Sequence, residues 1–243
     1  VILITRPRKN SLEFQKRLEK LKINSEIQEL SKFKIFKRQV SLFDSVILIT
    51  SPRSLDYLVK TKTIETCKKN EFIVIGKKTT QRLKQLGCKK ILISAKDSTD
   101  LINKYKSVIN KKSKVQFLCS DVYNKDLVRS LKKMKCKIIL VRVYETIKAR
   151  KLKKSVIKNL KNNKFSAAVF FSKFSFMVFL NLCKQEKVSK SCLKRIQYIC
   201  VSQRVGEFAE QRGYNVNYPP NPSEQSMFGV IKKLKLKNIT KLQ

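Results

Sequence analysis

Short apolar runs alternate with amphipathic stretches along most of the chain. Val1–Thr5, Ser45–Thr50, Phe72–Ile75, Ile91–Ser94, Val115–Cys119, Ile138–Val143, Ala167–Phe171 and Tyr198–Val201 are rich in β-branched and aromatic residues and predict strands. None alternates strictly between polar and apolar, as expected of parallel strands covered on both faces. Helical spacing of apolar positions follows over Ser11–Leu21, Arg53–Thr61, Lys78–Leu86, Lys125–Met134, Phe174–Cys183, Arg204–Arg212 and Gln225–Leu234. Asn10 with Glu13 fits a capping box, and Gly87 and Gly213 stand where two helices should stop. Repeated strand–helix units predict an α/β fold with doubly wound parallel sheets.

The units also repeat, in permuted order. FIVIGKKTTQRLKQLG from Phe72 matches YICVSQRVGEFAEQRG from Tyr198 as strand, turn, helix and terminal glycine. FDSVILITSPRSLDYL from Phe43 echoes FSAAVFFSKFSFMVFL from Phe165, each strand ending on a serine, Ser51 or Ser172. Val1–Lys22 echoes Val115–Lys135. One series runs 43, 72, 115; the other runs 165, 198 and then back to residue 1. The N-terminal unit should therefore join the C-terminal half. This predicts two Rossmann-like lobes with parallel sheets, joined by a two-stranded connector. Residues 1–30 plus 149–243 form the discontinuous first lobe, 44–137 the second, and 31–43 and 138–148 the connector strands.

Charge changes the picture of partners. Lysine and arginine number 56 against 17 acidic residues, a formal net charge of +39 that would attract any polyanion. Lysine is spread through every segment rather than gathered in one block, and no helix-turn-helix, zinc-finger or RNA-recognition signature accompanies it. Diffuse compositional bias explains that spread, so no nucleic-acid partner is expected. A basic nucleic-acid-binding protein is the competing reading. A small polycarboxylate suits the charge on either view. No apolar run is long enough to span a bilayer, and the start lacks a basic segment followed by a long apolar core. The chain is expected to be soluble and cytoplasmic, with no membrane partner.

Residue chemistry narrows the reaction. Histidine is absent, which removes Ser-His-Asp triads, histidine acid/base work and histidine metal ligands. The seven cysteines form no CxxC pair, so no zinc ribbon or thioredoxin-type site is written here, and reduced, mostly buried thiols are expected. Carboxylates such as Asp44 and Glu145 show no glycosidase-like pairing. IGKKT at Ile75–Thr79 is no P-loop, because Glu71 stands where the required earlier glycine would be.

ITRP at Ile4–Pro7, ITSPRS at Ile49–Ser54, IGKKT at Ile75–Thr79, VYET at Val143–Thr146 and FFS at Phe170–Ser172 occur in an order and spacing that resemble uroporphyrinogen-III synthase. The unit ending at Gly213, with PPNPSEQSM after it, extends the resemblance to nearly the whole chain. The resemblance implies two Rossmann-like lobes with substrate in the cleft between them, and neither metal nor organic cofactor. It implies action on hydroxymethylbilane, a linear tetrapyrrole with eight carboxylates. The chain is expected to be a monomer. The expected reaction closes the ring with loss of water and inverts ring D through a spirocyclic intermediate. The chain departs from the family pattern at Cys119–Ser120 and at Ser202–Val205, so a catalytically inactive relative is the second alternative.

Each candidate residue has two readings. Ser51 ends a strand before Pro52 and suits a helix N-cap; the same turn, flanked by Thr50 and Arg53, would receive a substrate carboxylate on its free amides. Gly76 and Thr79 open a second such turn. Ser172 with Lys173 mirrors Ser51. Arg6 is a carboxylate fork or a surface arginine. Tyr144, in the segment resembling the family's cleft tyrosine, is the candidate proton donor or else a core residue. The phenylalanines at 170, 171, 174, 176 and 179 read as core.

Overall fold

The computed structural model describes residues 1–42, 45–108 and 114–239. The strands are β1 (Ile2–Ile4), β2 (Ser25–Ile27), β3 (Ser31–Ile35), β4 (Val46–Ile49), β5 (Phe72–Ile75), β6 (Ile91–Ala95), β7 (Lys114–Cys119), β8 (Lys137–Arg142), β9 (Tyr144–Lys148), β10 (Ala167–Phe170), β11 (Gln197–Cys200) and β12 (Val216–Asn217). The helices are α1 (Arg8–Glu19), α2 (Pro52–Lys60), α3 (Thr63–Cys67), α4 (Lys77–Gln85), α5 (Ser98–Val108), α6 (Lys125–Lys133), α7 (Lys154–Lys161), α8 (Lys173–Gln185), α9 (Lys190–Lys194), α10 (Gln203–Glu210) and α11 (Glu224–Ile239). Phe43 and Asp44, the start of one expected repeat and of the expected second lobe, lie outside the described residues.

The chain divides into two compact units, residues 1–32 with 148–243 and residues 33–147. The first holds a parallel sheet of order β12-β11-β10-β1-β2, the second one of order β6-β5-β4-β7-β8. Read strand by strand, the two orders superimpose: β10, β11 and β12 correspond to β4, β5 and β6, while β1 and β2 correspond to β7 and β8. The first sheet is thus discontinuous in sequence, as the permuted repeat requires.

In the second unit, alternation along β4 sorts the core. Ile47 and Ile49 pack with Leu55, Leu58 and Leu83 on one face, whereas Val46 and Leu48 pack with Leu101, Leu127 and Leu131 on the other. Every β4 residue is buried, because helices cover both faces of this central strand. In the first unit, Leu3, Ala168 and Phe170 face Phe176, Phe179 and Tyr198, while Ile2, Ile4 and Val169 face Phe14, Leu18 and Phe228.

Two local expectations are corrected. Helix α1 begins at Arg8 with Pro7 at its cap position and no side-chain cap, so Asn10 and Glu13 lie inside it and make no capping box. Proline's fixed φ suits the entry, and the helix starts as soon as the chain leaves β1. The expected connector strand 138–148 is two strands: β8 is the edge of the second unit's sheet, paired to β7, and only β9 pairs with β3 in the antiparallel two-stranded ladder.

Helix ends carry an unexpected feature. Gly87 and Gly213 take positive φ after α4 and α10, as their sequence positions suggest, but Lys22, Lys62, Lys135, Asn163 and Lys187 take the same left-handed conformation after other helices. At Lys135 the Schellman bonds are complete: Lys135 N–H donates to Lys132 O at 2.9 Å and Cys136 N–H to Leu131 O at 3.1 Å.

Candidate functional site

A doubly wound sheet offers its natural binding position at the C-terminal ends of the two strands where the order reverses. In the second unit those are β4 and β7. Thr50 and Ser51 follow β4, Ser51 in extended conformation, and Ser51 Oγ accepts the Arg53 amide at 3.2 Å. Pro52 follows as first helical residue, where its missing N–H costs nothing. Ser54 Oγ donates to Leu118 O at 2.7 Å, tying the start of α2 to β7. At the neighbouring strand, Gly76 holds φ at +97°, which a side chain would strain. Its N–H is spent on Ala95 O at 2.8 Å, but the amides of Lys77, Lys78 and Thr79 begin α4 without intrahelical acceptors. Thr79 itself is buried.

Arg53 and Tyr144 meet around one ring. The Arg53 guanidinium lies 4.8 Å from the centroid of Phe33, and Tyr144 touches the same ring edge-on at 6.0 Å. Arg53 also pairs with Asp56 at 2.9 Å, and Asp56 takes Arg82 from α4 at 2.7 Å. Tyr144 is 7% exposed and packs with Leu55, Leu58 and Val143 in the core on the α2 face of the sheet.

In the first unit the reversing strands are β10 and β1. Thr5 Oγ1 bridges them, donating to Val169 O at 2.6 Å. Ser172 caps α8 through the Ser175 amide at 3.1 Å, repeating Ser51. Lys173 is exposed, with Nζ 4.6 Å from the Phe208 ring. Arg6 leaves β1 beside this turn, its guanidinium 4.0 Å over the Phe171 ring and paired with Glu224. Glu224 also takes Arg17 at 2.9 Å. Arg6 is therefore held, unlike a loose surface arginine.

The departures at the turns have simple physical forms. Ser120 is buried, and its hydroxyl both donates to Val122 O at 2.7 Å and accepts Val122 N–H at 3.1 Å, closing the turn on itself. Burial pushes the Cys119 thiol up to about 11, which keeps it neutral and unsuited to nucleophilic work. At the other departure Ser202 stands at the α10 cap position without a side-chain bond, and Gly206 lies so close to Tyr218 that a Cβ there would overlap its ring. Among the described residues, no group of three or more Cys, Asp or Glu side chains could hold a metal, and no helix is long and apolar enough to cross a membrane.

The sequence reading found the serine-capped turns and missed what surrounds them. Arg17, Asp56 and Phe33 carry no motif, and Glu224 lies within PPNPSEQSM with nothing in that segment to mark it as a site residue. The Arg6–Glu224 contact spans 218 residues, so no local spacing announces it.

Comparison with known proteins agrees with the fold. The family model described as uroporphyrinogen-III synthase HemD matches residues 23–229. The uroporphyrinogen-III synthetase of Helicobacter pylori superposes with a TM-score of 0.65 at 14% identity, covering 96% of this chain and 98% of that one. A mutant uroporphyrinogen III synthase from the extremely thermophilic bacterium Thermus thermophilus superposes with a TM-score of 0.67 at 14% identity, covering 98% and 99%. No curated relative matches the sequence.

Proposed function

Because the chain belongs to the uroporphyrinogen-III synthase HemD family, we propose that it cyclises hydroxymethylbilane to uroporphyrinogen III. In this reaction the terminal hydroxyl leaves as water. The substituted carbon of ring D attacks the resulting electrophile to give a spirocyclic intermediate, and fragmentation with reclosure turns ring D over. The bilane also closes unaided without that inversion. The protein's task is then chiefly to hold ring D where spiro attack outruns simple closure, which is catalysis by orientation.

The residues suit that task. The first-turn amides of α4 and α8, after Gly76 and Ser172, lie at the positive ends of helix dipoles and would receive substrate carboxylates, with Thr79 and Lys173 beside them. At Thr50–Ser51–Arg53 the amides are spent, since Pro52 has no N–H and those of Arg53 and Ser54 bond to Ser51, so there the helix dipole and the Arg53 guanidinium would act instead. Arg6 and Arg53, each laid on an aromatic face, supply planar forks of matching geometry. Tyr144 is the nominated hydrogen-bond donor to the departing hydroxyl; with no histidine in the chain, a phenol is the neutral-pH donor at hand. The enzyme works as a cytoplasmic monomer, and its net charge of +39 draws the eight-carboxylate substrate from solution.

The observation that carries the reading is the family match over residues 23–229, most of a chain that keeps both sheets. Expression in a bacterial strain lacking its own uroporphyrinogen-III synthase tests it. The reading requires the chain to restore haem-dependent growth; failure to do so with folded protein present in the cells would count against it.

A further inference from the structure

Glu224 occupies a carboxylate site. Its two oxygens are taken by guanidiniums from two different places in the first unit, Arg6 at the end of β1 and Arg17 on α1. Each guanidinium is backed by an aromatic ring, Arg6 by Phe171 at 4.0 Å and Arg17 by Phe228 at 3.8 Å. Those rings are fixed in turn by Phe14, whose centroid lies 5.7 Å from Phe171 and 4.4 Å from Phe228. Two forks held this rigidly form a receptor for one carboxylate, and they would keep that shape if the carboxylate came from elsewhere.

Glu224 is well suited to leave. It is only partly buried, with a side chain 26% exposed, and it stands on the first residue of α11 rather than on the elements carrying the arginines. The second unit offers a contrast: Asp56 bridges Arg53 and Arg82 from the same helix as Arg53, so it cannot depart without disturbing that helix. Once released, Glu224 still lies at a helix N-terminus, where a negative charge is favoured. Arg6, meanwhile, stands beside Ser172 at the reversal point of the first sheet.

We propose that Glu224 is an internal stand-in for a ligand carboxylate, filling the Arg6–Arg17 site until a carboxylate of the incoming ligand displaces it. The identity of that ligand as the bilane rests on the synthase reading; the exchange itself does not. Glu224 is thus a positioning residue that sets affinity by competition, and it keeps two neighbouring cations from facing each other unpaired.

The test uses 1,2,3,4-butanetetracarboxylate, an unreactive polycarboxylate, at physiological ionic strength, followed at the guanidinium NMR signals of Arg6 and Arg17. Glu224→Gln removes the competitor but keeps the side chain's size. Its dissociation constant at those signals should drop about two- to fivefold, the scale of one partly exposed ion pair. The gain should vanish in an Arg6→Gln background. Glu65→Gln, which breaks the Glu65–Lys68 pair in the other unit, should produce no such gain. Unchanged or weaker binding in Glu224→Gln, with the fold intact by circular dichroism, overturns the proposal and makes Glu224 a structural tie. An equal gain in Glu65→Gln overturns it in favour of diffuse charge. If the exchange is found but no type III product forms from hydroxymethylbilane, the synthase reading fails and the exchange stands.

Discussion

Tyr144 meets Phe33 edge-on, their ring centroids 6.0 Å apart and their planes at 76°. The contact anchors the first residue of β9 to its partner strand β3, and Arg53 covers the same Phe33 ring. One aromatic thus joins the serine-capped turn after β4 to the nominated proton donor.

That geometry separates two roles of Tyr144. Tyr144→Phe keeps the edge contact and removes only the hydroxyl. Activity should fall by about a hundredfold in kcat, the lower end for a general acid, with KM and melting temperature little changed. Tyr144→Ala empties a largely buried site and should cost roughly 3–5 kcal/mol in denaturant unfolding, as large aromatic truncations do. Full kcat in the phenylalanine variant would remove Tyr144 from the chemistry and leave it a core residue.

The left-handed lysines store avoidable strain. A side chain in this conformation costs about 1–2 kcal/mol and glycine relieves it. Lys135 and Lys187 are exposed and end helices α6 and α8. Lys135→Gly and Lys187→Gly should each raise stability by about 0.5–1 kcal/mol, since glycine's greater freedom in the unfolded chain offsets part of the relief. Urea midpoints of the single and double variants check this. An additive increase is expected because the sites do not share partners.

Gly206 answers to a different constraint. It sits inside α10, where alanine would gain about 1 kcal/mol in helix propensity. The Tyr218 ring fills the space that a Cβ would need, and this reverses the sign. Gly206→Ala should destabilise the protein by about 1–3 kcal/mol, the usual cost of overpacking. Trimming the ring with Tyr218→Ala in the same chain should turn the alanine from harmful to neutral, read as a coupling in a double-mutant cycle.

Alkaline pH should loosen the fold. Burial pushes the thiols of Cys67 and Cys119 up to about 11 and those of Cys183 and Cys200 up to about 12. The folded state therefore keeps these protons after the unfolded chain has lost them. Their contribution is fully present below the unfolded thiol pKa of about 8.5 and is lost as pH climbs through the folded values. Each thiol contributes a slope of up to about 1.4 kcal/mol per pH unit across that window. Guanidinium unfolding at pH 8 and pH 10 should show a clear loss of stability at the higher value, and serine at Cys183 should reduce the slope.

The strand order was legible because hydrophobic runs and serine-ended turns recur, and a permuted recurrence fixes which strand must lie beside which. Ser51 and Ser172 were legible as caps since the residue type, extended backbone and following helix act locally. Elements with few buried residues were not: β2 and β12 are edge strands of three and two residues, too short for any period to register. Helix stops at Lys22, Lys135 and Lys187 were hidden because lysine carries no preference for the conformation it adopts there. Arg6 could be read as a fork from its place after β1. Its partner could not, because Glu224 reaches it only through the folded first unit.

The most direct test of the synthase reading supplies purified chain with hydroxymethylbilane and resolves the oxidised products by isomer chromatography. Spontaneous closure supplies the internal reference, since it yields the type I isomer alone. The account predicts that the type III isomer dominates and that its share rises with enzyme concentration. Type I isomer alone, from folded protein at every concentration, would contradict it.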